Sequence, residues 1–191
     1  VVTRIYGQTR YETSLKIADA TKAAQGVERF SNIIVASGAG FADALAGSYL
    51  AKVKDAPILM AQAAGKNVDM LKTYIAENLV PGGTVYILGG VNAVPAALDT
   101  ALSGYNVKRL AGEDRYETNL LILKEAGVTN EEILVCKAQD FADSLSASAV
   151  GKPILLVNSN TSKLADIQKA YLAELSTSKF YIVGGETAVS S

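Results

Sequence analysis

At 191 residues with a net charge of −1, the chain has no global field to draw nucleic acid or a membrane surface, so any anion binding must come from local arrangement. With 49% hydrophobic and 19% charged residues, it has enough apolar content for buried cores and too little charge for disorder. Histidine is absent, the lone cysteine excludes an intrachain disulfide, and no apolar stretch is long enough to cross a bilayer.

The first element is announced by a phrase that occurs twice, Arg10-Tyr11-Glu12-Thr13 and Arg115-Tyr116-Glu117-Thr118, 105 residues apart. The wider pattern is R-x-x-G-x-x-R-Y-E-T, running from Arg4 through Gly7 and from Arg109 through Gly112. It reads as a strand that passes a glycine into a capped helix. Thr9 and Asp114 are N-cap residues, and Glu12 and Glu117 fall three positions on, which predicts a capping box each time. Tyr11, Leu15 and Ala18 share one helix face, as do Tyr116, Leu120 and Leu123. The glutamates thus have a structural task, and the arginines have none that the pattern reveals.

After helix 11–23, the run 32–36 is apolar and ends in Ser37-Gly38-Ala39-Gly40. Helix 41–53, strand 57–60, helix 68–78, strand 84–88 closed by Gly89-Gly90, a helix near 95–102 and strand 107–110 follow. The second copy repeats the order with strand 133–136, Phe141-Ala142-Asp143, strand 153–157, a helix around 164–175 and strand 180–183 before Gly184-Gly185. Apolar strands without alternation, each followed by a helix, predict parallel sheets buried on both faces. The offset shrinks from 105 at the arginines to 95 at the double glycine, which indicates shorter loops within one fold. The predicted fold is α/β: tandem doubly wound modules, parallel sheets flanked by helices, over residues 1–105 and 106–191. The second module is expected to be truncated, without its last helix and strand, and so to leave an apolar face or sheet edge uncovered.

Arg10 and Arg115 start helices, where the macrodipole disfavours a cation, so each calls for a partner: a carboxylate or a ligand. Arg4 and Arg109 are expected at strand ends, where open α/β sheets present ligand sites and a guanidinium fork suits phosphate or carboxylate. Tyr11 and Tyr116 read as core anchors rather than sugar platforms. Asp43 and Asp143, in the first turn of their helices, read first as caps and alternatively as partners of an arginine across a module interface. Asp140 has Gly40 at the matching position, so no metal site is expected, and no cofactor. Gly38-Ala39-Gly40 lacks the third glycine of a dinucleotide loop, and Cys136, with no histidine to activate it, reads as a small buried hydrophobe.

The order R-x-x-G-x-x-R-Y-E-T, apolar strand, F-A-D-A-L, P-I-L, double glycine resembles the type 2 cell-wall-binding repeat of Gram-positive bacteria, over nearly the whole chain and twice. The resemblance implies an extracellular, non-catalytic module at the cell surface. Its implied partner is an anionic secondary cell-wall polymer, teichoic-acid-like or a phosphate-bearing polysaccharide, with Arg4, Arg10, Arg109 and Arg115 as the polymer-binding candidates. It further implies a third sister module, in the same or another chain, and neither nucleic-acid binding nor membrane insertion. Met60 stands where the second copy has Leu156, a volume-conserving departure. The competing class is an α/β enzyme domain acting on a sugar phosphate or nucleotide; a duplicated enzyme would be expected to keep a nucleophile, base or metal pair in one copy.

Overall fold

A computed structural model describes residues 2–161, 164–176 and 179–189. The chain divides into two compact units. Unit 1 comprises residues 1–40 and 54–110, and unit 2 comprises residues 41–53 and 111–191.

Unit 1 begins with α1 (Arg10–Gln25) and β1 (Phe30–Ser37), and resumes with β2 (Ile58–Ala61), α3 (Val68–Asn78), β3 (Leu79–Leu88), α4 (Ala97–Ala101) and β4 (Asn106–Leu110). Its four strands are parallel in the order β2-β1-β3-β4. One face of this sheet carries Ile33, Val35, Leu59, Val85 and Ile87, closed by Leu71 and Ile75 of α3 and by Leu98 and Leu102 in and just after α4. The opposite face, Ile34, Ala36, Tyr86 and Leu88, is buried as well. That double burial is why these strands read as unbroken apolar runs. α1 covers the free edge of β2, where the Met60 N–H donates to Ser14 Oγ at 3.1 Å.

Unit 2 is built from α2 (Ala42–Val53), α5 (Arg115–Glu125), β5 (Ile133–Lys137), α6 (Ala142–Ser148), β6 (Ile154–Val157), α7 (Asp166–Glu174) and β7 (Phe180–Val183). Its three strands are parallel in the order β6-β5-β7. Here α5 covers the β6 edge. Asn119, fully buried, donates from Nδ2 to Ile154 O and accepts from Leu156 N–H at Oδ1, both at 2.8 Å.

The compact units are divided differently from the sequence repeats in two places. β4 pairs in parallel register with β3, Thr84 opposite Asn106 through Leu88 opposite Leu110, so unit 1 extends to Leu110. The larger departure is α2. Its apolar residues Leu45, Ala46 and Leu50 are buried, and the helix meets α5, α6 and β6. The sequence places α2 in the first repeat, but its most extensive contacts are with elements of the second.

The expected strand before the first phrase does not form: residues 2–7 are without strand structure. Its counterpart in the second copy, β4, is a strand because β3 offers it an edge. In unit 2, Phe180 and Ile182 of β7 are exposed.

Candidate functional site at the strand ends

Nearly every letter of the repeated phrase has an intramolecular partner. The Thr9 side chain accepts from the Glu12 N–H at 3.2 Å, and Glu12 Oε2 accepts from the N–H groups of Gln8 at 2.6 Å and Thr9 at 3.3 Å. Asp114 Oδ1 accepts from the N–H groups of Tyr116 at 2.8 Å and Glu117 at 2.9 Å, while Glu117 Oε2 reaches Glu113 N–H at 2.6 Å. The second box therefore closes one residue upstream of the cap. Gly7 N–H donates to Thr13 Oγ1 at 2.9 Å and Gly112 N–H to Thr118 Oγ1 at 3.0 Å, which folds the incoming chain flat over the first helical turn. A Cβ at Gly7 would sit 2.8 Å from the Glu12 carbonyl carbon, and one at Gly112 2.7 Å from that of Glu117, so only glycine allows the approach.

The arginines have partners as well, and for Arg10 and Arg115 the partners seen are main-chain carbonyls rather than the carboxylate or ligand expected. Arg10 Nη1 donates to Gly38 O at 2.9 Å, and Arg115 Nη1 donates to Ala138 O at 2.7 Å. Gly38 and Ala138 follow β1 and β5, so each guanidinium clips its helix start to the C-terminal end of the central strand. Both side chains remain exposed. Arg109 is held differently. Its Nε and Nη2 grip the Asp99 carboxylate, its Nη1 donates to Gly89 O at 2.7 Å, and the side chain is only 17% exposed. Arg4 is exposed, in the segment without strand structure. Arg4 and Arg10 thus belong to unit 1 together, whereas Arg109 belongs to unit 1 and Arg115 to unit 2.

Asp43 is expected as a helix cap or, alternatively, as the partner of an arginine across a module interface. It enters unit 2 with α2 and lies in the field of Arg115 from the second phrase. Burial pushes its carboxyl above the ordinary carboxylate value, and the Arg115 charge opposes that rise. Asp143 lies against Gly184, whose missing Cβ makes room for the carboxylate. Asp140 Oδ1 accepts from Phe141 N–H at 2.7 Å.

The loop after β1 is closed on itself. Ser37 Oγ accepts from the N–H groups of Ala39 and Gly40, each at 3.2 Å, and Gly38 N–H donates to Ala61 O at 2.9 Å. The donors that a phosphate cradle would need are therefore committed. Tyr11 lies against Gly38, where a Cβ would fall 2.5 Å from its ring, so this tyrosine is a packing group. Cys136 is a buried free thiol, and burial together with the Asp143 charge pushes its pKa up to about 11, leaving it protonated at neutral pH.

Sequence reasoning missed three features. Ser14 and Asn119, at the same repeat position on otherwise apolar helix faces, satisfy the outer strand edges; a polar residue recurring on an apolar face was the available signal. Asp99 as partner of Arg109 had no signal, since the second copy has no counterpart to compare. At the strand ends of unit 2, Gln139 Nε2 donates to Tyr116 Oη at 3.2 Å and also bonds Asn158, while Gln139 Oε1 accepts from Ser159 N–H at 3.3 Å. The first repeat has Ala39 in place of Gln139, so the repeat comparison hid this network.

Two parallel α/β units that carry the same helix-to-strand clip define a tandem α/β repeat protein. The chain belongs to the cell wall binding domain 2 (CWB2) family, which it matches over residues 4–99 and 109–191. Among similar proteins, the N-acetylmuramoyl-L-alanine amidase LytC of Bacillus subtilis (strain 168) is 27% identical across the whole of this chain. The amidase enhancer of the same organism is 31% identical over 87% of it. The chain spans 37% and 23% of the length of these two relatives. Two solved structures are similar throughout: Cwp6 from Clostridium difficile, with 28% identity and a TM-score of 0.79, and Cwp8 from Clostridium difficile, with 27% identity and a TM-score of 0.80. The chain is covered to 98% and 97% in these comparisons and spans 30% and 31% of those chains. The family places the chain at the bacterial cell wall.

Proposed function

We propose that the chain is a non-catalytic anchor that holds a surface protein on an anionic secondary cell-wall polymer, teichoic-acid-like or phosphate-bearing. The observation that carries this reading is the exposed pair Arg10 and Arg115. Each lies at a strand C-terminal end and spends Nη1 on a main-chain carbonyl, a bond that fixes the guanidinium plane and does not itself neutralise the charge, although Arg115 also has the Asp43 carboxyl near it. A fixed, exposed fork suits phosphate oxygens. Arg4 adds an exposed cation to unit 1. In this reading Arg109, tied to Asp99, serves the scaffold and leaves the polymer to the other three.

The recurring polar groups of the phrase act as caps and clips, which favours a binding module over a catalytic one. Each arginine contact is weak alone, and engagement of several sites along one polymer raises apparent affinity by roughly 10²–10⁴-fold. A sister module of the same family would add further sites of this kind. Wall sedimentation tests the proposal. The chain should bind purified walls and lose binding when secondary polymer is chemically stripped. Arg10→Gln with Arg115→Gln should weaken binding more than Arg109→Gln does, whereas Arg109→Gln should lower the melting temperature more. Undiminished binding to stripped walls would overturn the polymer assignment.

A further inference from the structure

Arg115 and Tyr116 open α5, and two consecutive residues after β5 hold them. Ala138 O accepts from Arg115 Nη1 at 2.7 Å, and Gln139 Nε2 donates to Tyr116 Oη at 3.2 Å. The direction of the second bond follows from the other end of the amide. Gln139 Oε1 accepts from the Ser159 N–H at 3.3 Å and from Ser159 Oγ at 3.2 Å, and a main-chain N–H can only donate. The amide nitrogen therefore faces Tyr116 and Asn158, and both of its protons are engaged there. Tyr116 Oη is thus the acceptor in this contact, which leaves its own proton to donate elsewhere. The Arg115 charge acts on this phenol, so the two donors are neighbours. Unit 1 has Ala39 at the place of Gln139, which offers Tyr11 no amide, and Tyr11 packs on Gly38 instead.

We infer that Arg115 and Tyr116, braced by Ala138 and Gln139, form a phosphate-selective site in unit 2, one that prefers a phosphate group of the wall polymer to a carboxylate. The inference rests on the anchoring role proposed above and names the anion taken there. The lone pairs of a carboxylate lie in its own plane, and bidentate pairing makes that the plane of the guanidinium. The fork then occupies the good directions and leaves little for a further donor. Phosphate oxygens are arranged tetrahedrally and accept from outside that plane as well, where the Tyr116 O–H adds a bond. Gln139 is a positioning residue, which sets the direction of the phenol proton. Asp43 shares the field of Arg115, and its carboxyl is the group against which an incoming anion competes. Arg10 has the fork without the braced phenol, so unit 1 takes either anion alike.

The test is a pair of NMR titrations with dimethyl phosphate and acetate, probes that each carry a single negative charge. Binding is followed at the amides of Gly112, Ala138 and Gln139 in unit 2 and of Gly7, Gly38 and Ala39 in unit 1. At the unit 2 amides dimethyl phosphate should bind roughly tenfold more tightly than acetate, the scale of one added hydrogen bond to a charged group. At the unit 1 amides the two probes should bind alike. Tyr116→Phe should remove the preference and leave acetate binding unchanged, Gln139→Ala should reduce it, and Arg115→Gln should weaken both probes. Equal affinity of the unaltered chain for the two probes in unit 2 overturns the inference. So does a preference that survives Tyr116→Phe, or a Tyr116→Phe chain that loses both anions in equal measure, which is the mark of a merely structural tyrosine. Wall sedimentation of the same chains separates the site from the anchoring role: a chain that shows the phosphate preference and does not sediment with walls keeps the site and loses the polymer.

Discussion

Ile87 and Ile182 stand at the same place in the repeat, on the same face of a parallel strand that follows the same kind of helix, yet one is fully buried and the other half exposed. The strands themselves form equally well in both units, with β5 pairing β7 in the same parallel sense as β1 pairs β3. Strand formation therefore follows from local pattern and pairing, whereas burial depends on a covering layer that arrives later in the chain. α4 and β4 provide that layer in unit 1. The difference teaches that the repeat unit of sequence and the unit of stability are not the same stretch.

The largest test of this contrast is a pair of truncations followed by urea denaturation. Ile87→Ala should cost about 2–5 kcal/mol, as expected where a filled core is left with a cavity. Ile182→Ala should cost under about 1 kcal/mol, because half of that side chain already meets water. Equal losses would mean that the β7 face is covered in solution.

Next in size are the glycines of the phrase, where the two units should behave alike. Gly7→Ala and Gly112→Ala each force a methyl into the first turn of the helix, and each should lose about 1–3 kcal/mol by thermal unfolding. A harmless Gly7→Ala beside a harmful Gly112→Ala would show that the clip is rigid only where a strand leads into it.

The caps come third. Thr9→Ala and Asp114→Ala should each cost about 1 kcal/mol, since each removes the acceptor for first-turn N–H groups.

A pH effect confined to unit 2 is the mildest. Glu132 bonds Lys152 and Lys179, and those hydrogen bonds lower its pKa from 4.5 to about 2. A depressed carboxyl stabilises the fold above its unfolded value and loses that contribution as pH falls through the folded one. Melting temperature should therefore decline between about pH 4.5 and 2, and Glu132→Gln should flatten that decline. An unchanged acid limb in the variant would assign it to other carboxylates.

Much of this was legible in the residues. Helix 68–78 and strand 180–183 were bounded from sequence as they are observed, because apolar periodicity, turn glycines and cap residues act locally. The parallel sheets followed from uninterrupted apolar strands. The fate of the arginines was less accessible. The partners of Arg10 and Arg115 are carbonyl oxygens, which every residue has and no sequence distinguishes. Asp99 was invisible as the partner of Arg109 for the opposite reason, being one ordinary helical acid among several. The assignment of α2 to unit 2 was also hidden, since an amphipathic helix declares that it has an apolar face and not which sheet will take it.

That assignment has a consequence for how the protein is made. The apolar face of α2 leaves the ribosome roughly sixty residues before α5, its main neighbour, exists. During that interval α2 lacks the α5, α6 and β6 contacts of the finished fold, and the nascent chain must close a long loop, bracketed by β1 and β2 of another unit, before it gains them. Folding of the two units is thus coupled through a single segment of backbone. A nick on either side of α2, near Gly40 or near Lys54, would leave every sheet hydrogen bond in place and still make a core helix of unit 2 dependent on non-covalent capture.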